Sequence, residues 1–185
     1  FGIKDYAFYG EELGTVDCPH VYRVGAKAFA NCQQLEVLKL PEAEEIDETA
    51  IEGCTALRIV EFCPQIWRLD FNFNGNENLE EVTGLGGIEY FSCGEGRYGA
   101  PFAGCTSLKR LDFSSSLYEA CSYAFFNCWE LVDVGDMSGM TTVFEACFEG
   151  CFKLASAFDL PHCVWIESSA FWGCSKLPFN NGALH

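Results

Sequence analysis

Apolar residues along this chain recur on two periods, one after the other, and the pair then repeats. Phe29, Cys32 and Leu35 are spaced by three, which predicts one side of a short helical or 3-10 turn facing inward. After Leu35 the spacing becomes two: Leu38 and Leu40 flank Lys39, Val60 and Phe62 flank Glu61, and Leu111 and Phe113 flank Asp112, the alternation of a half-buried strand. Pro41 and Pro161 close two such strands. The predicted unit is one helical turn, one short strand and one connecting loop.

The unit recurs at Ala28–Leu35, Ala50–Leu57, Pro101–Leu108, Ala124–Leu131, Cys147–Leu154 and Ala170–Leu177, with degenerate copies at Phe8–Leu13 and Phe73–Leu79. Its apolar anchors, Phe8, Phe29, Ile51, Phe73, Phe102, Phe125, Phe148 and Phe171, are separated by 21, 22, 22, 29, 23, 23 and 23 residues. A unit with one apolar side cannot bury it alone. The eight copies are therefore expected to stack, with strands in a parallel sheet on a concave face and helical turns on a convex one. The pattern is already running at Ala7 and Phe8 and still running from Cys174 to Leu177, and residue 1 is not Met. The expectation is a single solenoid over residues 1–185, excerpted from a longer protein.

Small-Phe-x-x-Cys-x-x-Leu followed by a Leu-x-Leu-Pro strand resembles the BspA-like subclass of leucine-rich repeats, found in surface proteins of bacteria and some protists. The resemblance covers roughly residues 7 to 177, with Glu11 and Asn76 standing in the Cys place of two copies. It implies an α/β repeat solenoid, a right-handed leucine-rich-repeat stack, and an adhesin-like surface or secreted protein that binds a protein partner through its concave face. The alternative is an intracellular, cytoplasmic scaffold for assembling protein complexes.

Composition sharpens this picture in three ways. With 17 Phe and 12 Cys in an apolar share of 49%, the interior should be aromatic and rich in sulfur. A formal charge of −16, from 27 acidic and 11 basic residues with no basic cluster, would repel the phosphates of nucleic acid. The apolar stretches are a few residues long, against the ~20 that span a bilayer, so no membrane insertion is expected in this segment.

The six repeat-phased cysteines, Cys32, Cys54, Cys105, Cys128, Cys151 and Cys174, are expected to form a buried ladder of thiols. Equivalent convex positions should fan apart beyond the ~7 Å limit for a disulfide. Cys18, Cys63, Cys93, Cys121, Cys147 and Cys163 share no phase and could include an isolated bridge. There is no Cys-x-x-Cys pair; the dense groupings are Cys18-Pro-His20, His162-Cys163 and Cys147-x-x-x-Cys151, and no metal or cofactor is expected.

Two surfaces are candidates for recognition. The 29-residue step predicts a loop at 84–101, lengthened by six or seven residues and bulging from one edge, where Tyr90, Phe91, Arg97 and Tyr98 are side chains typical of interfaces. Its Gly94-Glu-Gly96-Arg-Tyr-Gly99 matches a dinucleotide fingerprint in letters but lacks the strand before it and the helix after it. Alternation also assigns outward positions on the concave sheet: Thr15, Asp17; Val37, Lys39; Ile59, Glu61; Glu81, Thr83; Arg110, Asp112; Asp133, Gly135; and Ser156, Phe158. The expected partner-binding set is Val37, Lys39, Ile59, Glu61, Glu81, Arg110, Asp112, Asp133 and Phe158, with Tyr90, Arg97 and Tyr98 from the loop. Trp67, Trp129, Trp165 and Trp172 are expected to pack between stacked units. None of His20, His162 and His185 stands in a nucleophile motif, and no Gly-x-Ser-x-Gly, His-Glu-x-x-His or P-loop occurs, so no catalysis is expected.

Overall fold

The computed structural model describes residues 1–70, 72–92, 99–155 and 159–177. Among these residues the chain forms fourteen short strands: β1 (Gly2–Ile3), β2 (Thr15–Asp17), β3 (Arg23–Val24), β4 (Val37–Lys39), β5 (Glu45–Ile46), β6 (Ile59–Glu61), β7 (Arg68–Leu69), β8 (Glu81–Thr83), β9 (Tyr90–Phe91), β10 (Arg110–Phe113), β11 (Glu119–Ala120), β12 (Asp133–Gly135), β13 (Thr142–Val143) and β14 (Trp165–Ile166). Strands β2, β4, β6, β8, β10 and β12 make one six-stranded sheet; β1, β3 and β5 make a second, and β7, β9, β11, β13 and β14 continue on that side as a third. Every pairing is parallel. The result is a solenoid of about seven turns, and each full coil carries two strands where alternation predicted one.

No helix occurs among the described residues, so the expected helical or 3-10 turns are not formed. Two features of the backbone account for this. The residue two beyond each anchor has a positive φ in all eight copies: Gly10, Asn31, Gly53, Gly75, Gly104, Asn127, Gly150 and Gly173. A left-handed residue at that point ends any right-handed helical run. Alternate amides are also taken by the next coil. Phe29 N donates to Ala50 O at 2.8 Å and Asn31 N to Glu52 O at 2.7 Å, while Ala30 N and Cys32 N close local turns onto Lys27 O and Phe29 O. Turn and ladder thus share one stretch of backbone.

These inter-coil bonds bring the turn side to the spacing of a β-ladder, so the expected fanning apart of this side does not occur. Anchor rings stack accordingly: Phe102 and Phe125 lie 5.6 Å apart at 7°, and Phe148 and Phe171 lie 5.4 Å apart at 2°. Phe29, Phe102, Phe125 and Phe148 are fully buried. Each stacked pair adds about 0.5–1.5 kcal/mol beyond the apolar area it buries.

One irregularity positions the sites described below. From the residue after the first strand of a coil to the inward residue of the second is six steps in the early coils, Cys18 to Val24 and Leu40 to Ile46. It becomes seven at Phe62 to Leu69 and stays seven at Gly84 to Phe91. Pairing on this side is interrupted between β5 and β7, where the extra residue enters, while the six-stranded sheet runs on without a break.

The turn geometry makes Gly150 and Gly10 a matched pair of tests. A Cβ on Gly150 (φ +80°) would run into Asn127 Oδ1 and lie 3.3 Å from Asn127 Cα, whereas one on Gly10 (φ +71°) meets nothing within 4 Å. Urea unfolding should show Gly150→Ala destabilised by about 2–3 kcal/mol and Gly10→Ala by about 1 kcal/mol. Equal losses would mean that left-handed strain acts alone, without steric crowding between coils.

Candidate functional site

The outward side of the six-stranded sheet holds the sequence-assigned positions in register. Val37 pairs with Ile59, Ile59 with Glu81, Glu81 with Arg110 and Arg110 with Asp133. In the parallel row Lys39 pairs with Glu61 and Glu61 with Thr83. Val37, Lys39, Ile59, Glu61 and Asp133 are half-buried, and Glu81, Arg110 and Asp112 are exposed. The inward residues between them, Leu38, Val60, Val82, Leu111 and Val134, are all buried aliphatics. The face thus has an apolar patch at Val37 and Ile59 beside a Lys39–Glu61 ion pair of 3.4 Å, followed by a charged half.

Carboxylates on this face also have structural work. Asp112 accepts Gly84 N and Leu85 N, both at 2.9 Å, and Asp133 accepts Gly135 N at 3.0 Å. Along its edge Arg58 bridges Glu36 (3.4 Å) and Glu80 (2.8 Å), and Glu80 also takes Lys109 (2.6 Å). Those hydrogen bonds, Lys109 first, hold the Glu80 carboxyl below its usual pKa.

Tyr90 belongs elsewhere. It sits in β9, so residues 84–92 form part of a regular coil and not of a bulging loop. Arg97, Tyr98 and Phe158, together with Ser156, Cys93 and the 94–98 part of the glycine motif, lie outside the described residues. The tryptophans are not packed between units: Trp67, Trp129, Trp165 and Trp172 are 48–66% exposed. Trp67 and Trp165 share a side of the solenoid with Tyr90, Trp67 beside the interruption between β5 and β7 and Trp165 at the far end of the five-stranded sheet. A cleft of about 410 Å³ opens at that interruption, lined in part by Arg23, Glu45, Asp47, Trp67, Arg68 and Asp70. Arg68 lies over the Trp67 ring at 5.5 Å and binds Asp70 Oδ2 at 2.7 Å, leaving the buried Asp70 Oδ1 without a hydrogen-bond partner among the described residues.

The phased cysteines are buried and unbridged as expected, although not through a fanning apart of the turn side. Each thiol donates to the anchor carbonyl one coil back: Cys32 to Phe8 O, Cys54 to Phe29 O, Cys105 to Phe73 O, Cys128 to Phe102 O, Cys151 to Phe125 O and Cys174 to Phe148 O, all at 3.0–3.1 Å. Asn76, in the Cys place, likewise donates through Nδ2 to Cys54 O at 3.1 Å. The thiols stay unbridged because in-register side chains run parallel, whereas a disulfide needs Cβ atoms converging to about 3.8 Å. Cys121 is disulfide-bonded. No cluster of three or more potential metal ligands, and no helix long and apolar enough to cross a membrane, is found among the described residues.

Stacked coils of strand, corner, strand and turn, with an aliphatic inner row and a varied outer one, define a repeat solenoid of the leucine-rich class. The chain belongs to the BspA type leucine rich repeat family, whose model matches it in six copies over residues 2–93 and 99–181. It is similar to a leucine rich repeat protein of T. pallidum, with 26% identity over 96% of this chain and 72% of that one, at a TM-score of 0.57. A leucine-rich repeat protein from Bacteroides ovatus is similar at 23% identity and a TM-score of 0.70, over 88% of this chain and 44% of that one. No curated protein matches the chain.

Thiol chemistry supplies a pH test of the interior. Burial pushes Cys54 and Cys105 up to about 12 and Cys174 up to about 11, and raises Cys128, Cys147 and Cys151 as well. Above pH ~9 the unfolded chain releases thiol protons that the folded chain retains, so these groups stabilise the fold fully below that pH and progressively less toward pH 12. Chemical denaturation midpoints should therefore fall between pH 9 and 11. At pH 8 a thiol reagent should modify the half-buried Cys18 and Cys163 in the native chain and the eight buried free thiols only on unfolding. Rapid native modification of Cys128 or Cys151 would contradict a packed ladder.

Proposed function

We propose that the chain is a rigid protein-binding module, part of an adhesin-like surface or secreted protein, that engages its partner through the outward face of the six-stranded sheet. The observation that carries this reading is the contrast between the two sides of those strands. Inward residues are aliphatic from coil to coil, while the outward row Thr15, Val37, Ile59, Glu81, Arg110, Asp133 changes chemistry at nearly every step. A face needed only for solubility has no use for the contiguous Val37 and Ile59, and a mixed apolar and charged row suits a protein surface better than a small molecule. Affinity would be spread over Val37, Lys39, Ile59, Glu61, Glu81, Arg110, Asp112 and Asp133, with Phe158, Arg97 and Tyr98 as further contributors. None of these has a chemical role, and no reaction is assigned to the chain.

The disulfide at Cys121 favours the surface or secreted location, because such bonds persist in oxidising compartments. Ten free cysteines among the described residues favour the second reading, an intracellular scaffold using the same face, but eight of them are buried and inert in any compartment. Pull-downs from extracellular-matrix and cytosolic extracts should compare the chain with a folded Lys39→Ala, Ile59→Ala, Arg110→Ala variant. Capture from the matrix extract alone, reduced at least tenfold by the three substitutions, is the expected result. Capture that the variant retains in full would remove the six-stranded face from the reading.

A further inference from the structure

Two outward rows run side by side along the five-stranded sheet. Backbone bonds of 2.7–3.1 Å join Trp67, Glu89, Tyr118, Thr141 and Val164 in succession, and strand register aligns Arg68, Tyr90, Glu119, Thr142 and Trp165 beside them. The second row points outward because the alternate residues Leu69, Phe91, Ala120 and Val143 are buried. Read across both rows, rings and carboxylates alternate over the first three coils, and Thr141 and Thr142 then separate them from Val164 and Trp165. Trp67 meets Tyr90 at 5.7 Å and Tyr90 meets Tyr118 at 6.1 Å, with Glu89 and Glu119 in the intervening places. Partial burial and then the charges of Glu89 and Glu119 raise the Tyr118 phenol, which places both carboxylates within electrostatic reach of that ring.

These rings are not core. Trp67 is 54% exposed, Tyr118 41% and Trp165 64%, and Val164 adds apolar surface at the far end. Arg68 is the one cation among these ten positions, and it is held by Asp70 and lies over Trp67, an internal example of how the strip receives a guanidinium. At the other end of the row the cleft beside Trp67 adds Asp47, while Glu45 and Asp70 on its walls are already paired with Arg23 and Arg68. Aromatic faces attract cations through their quadrupole, carboxylates pair with them, and a chain of charge −16 draws them from a distance. Five coils at about 4.8 Å give a strip roughly 19 Å long, which an extended segment crosses in about six residues.

We infer that this strip docks an extended, arginine-rich segment of a partner protein, whose guanidinium groups lie on Trp67, Tyr90 and Tyr118 and pair with Glu89 and Glu119. It lies on a different side from the six-stranded sheet and does not depend on the binding reading given for that sheet.

The test is fluorescence anisotropy of a labelled (Arg-Ser)4 peptide at 0.15 M salt, with thermal melting to confirm that each variant is folded. Saturable binding is expected, with at least a tenfold loss in Trp67→Ser, Tyr118→Ser and a similar loss in Glu89→Gln, Glu119→Gln. The exposed pair Glu11→Gln, Glu12→Gln removes the same charge elsewhere and should change affinity less than twofold, as should Ile59→Ala on the six-stranded sheet. A (Lys-Ser)4 peptide should bind more weakly, since ammonium groups stack less well on rings. Equal losses for the two glutamate pairs would reduce the effect to diffuse electrostatics and overturn the inference; so would equal binding of a (Gln-Ser)4 peptide, or no binding at all. Should the aromatic variant fail to fold, the comparison of the two glutamate pairs decides by itself.

Discussion

Coil-to-coil registry at β-ladder spacing is the constraint on which everything else in this molecule depends. It is maintained by strand pairing in the six-stranded sheet, by the two shorter sheets that flank the β5–β7 interruption, and by bonds such as Phe29 N to Ala50 O within the turns. Once the backbone repeats at that distance, like side chains fall on like side chains. Phe rings must then be flat against one another, thiols must find the carbonyl one coil back, and charges must alternate in sign or repel. Glu36, Arg58, Glu80 and Lys109 do alternate. In such an array each coil is stabilised by its two neighbours and scarcely at all by coils farther away.

The parts of the fold that were legible in the sequence are those where one residue type recurs in one place. Phe, Cys and Leu at intervals of three marked the turn, and alternation around Lys39 and Glu61 marked the strands of the six-stranded sheet and which residues face out. The second strand of each coil left no such signal. It is two residues long with a single inward member, the buried Val24, Leu69, Phe91, Ala120 or Val143 or the half-buried Ile46, too short for any period to appear. The sequence pattern consequently places Tyr90 in a loop and the exposed Trp67 and Trp165 in packing between units. The turn type, by contrast, was written in the sequence: Gly or Asn precedes the Cys place in all eight copies, which is the signature of a left-handed residue and argues against a helix.

Charge distribution follows from the same registry. Seven of the ten basic residues among the described residues, Arg23, Lys27, Lys39, Arg58, Arg68, Lys109 and Lys153, are in ion pairs with acidic residues, mostly one coil away. Exposed pairs of this kind contribute little each, about 0–1 kcal/mol. Their larger effect is to leave few cations available, so that the excess of carboxylates sets the field around the molecule at long range.

The extra residue between Phe62 and Leu69 has a consequence for how the array comes apart. Where one side of the solenoid loses its strand pairing, the interface between neighbouring coils lacks the ladder that β3–β5 and β7–β9 have on that side, and in a one-dimensional array a weakened junction is where blocks separate. Fraying that starts at either terminus is therefore expected to slow at this junction, through which the six-stranded sheet alone continues as a paired sheet.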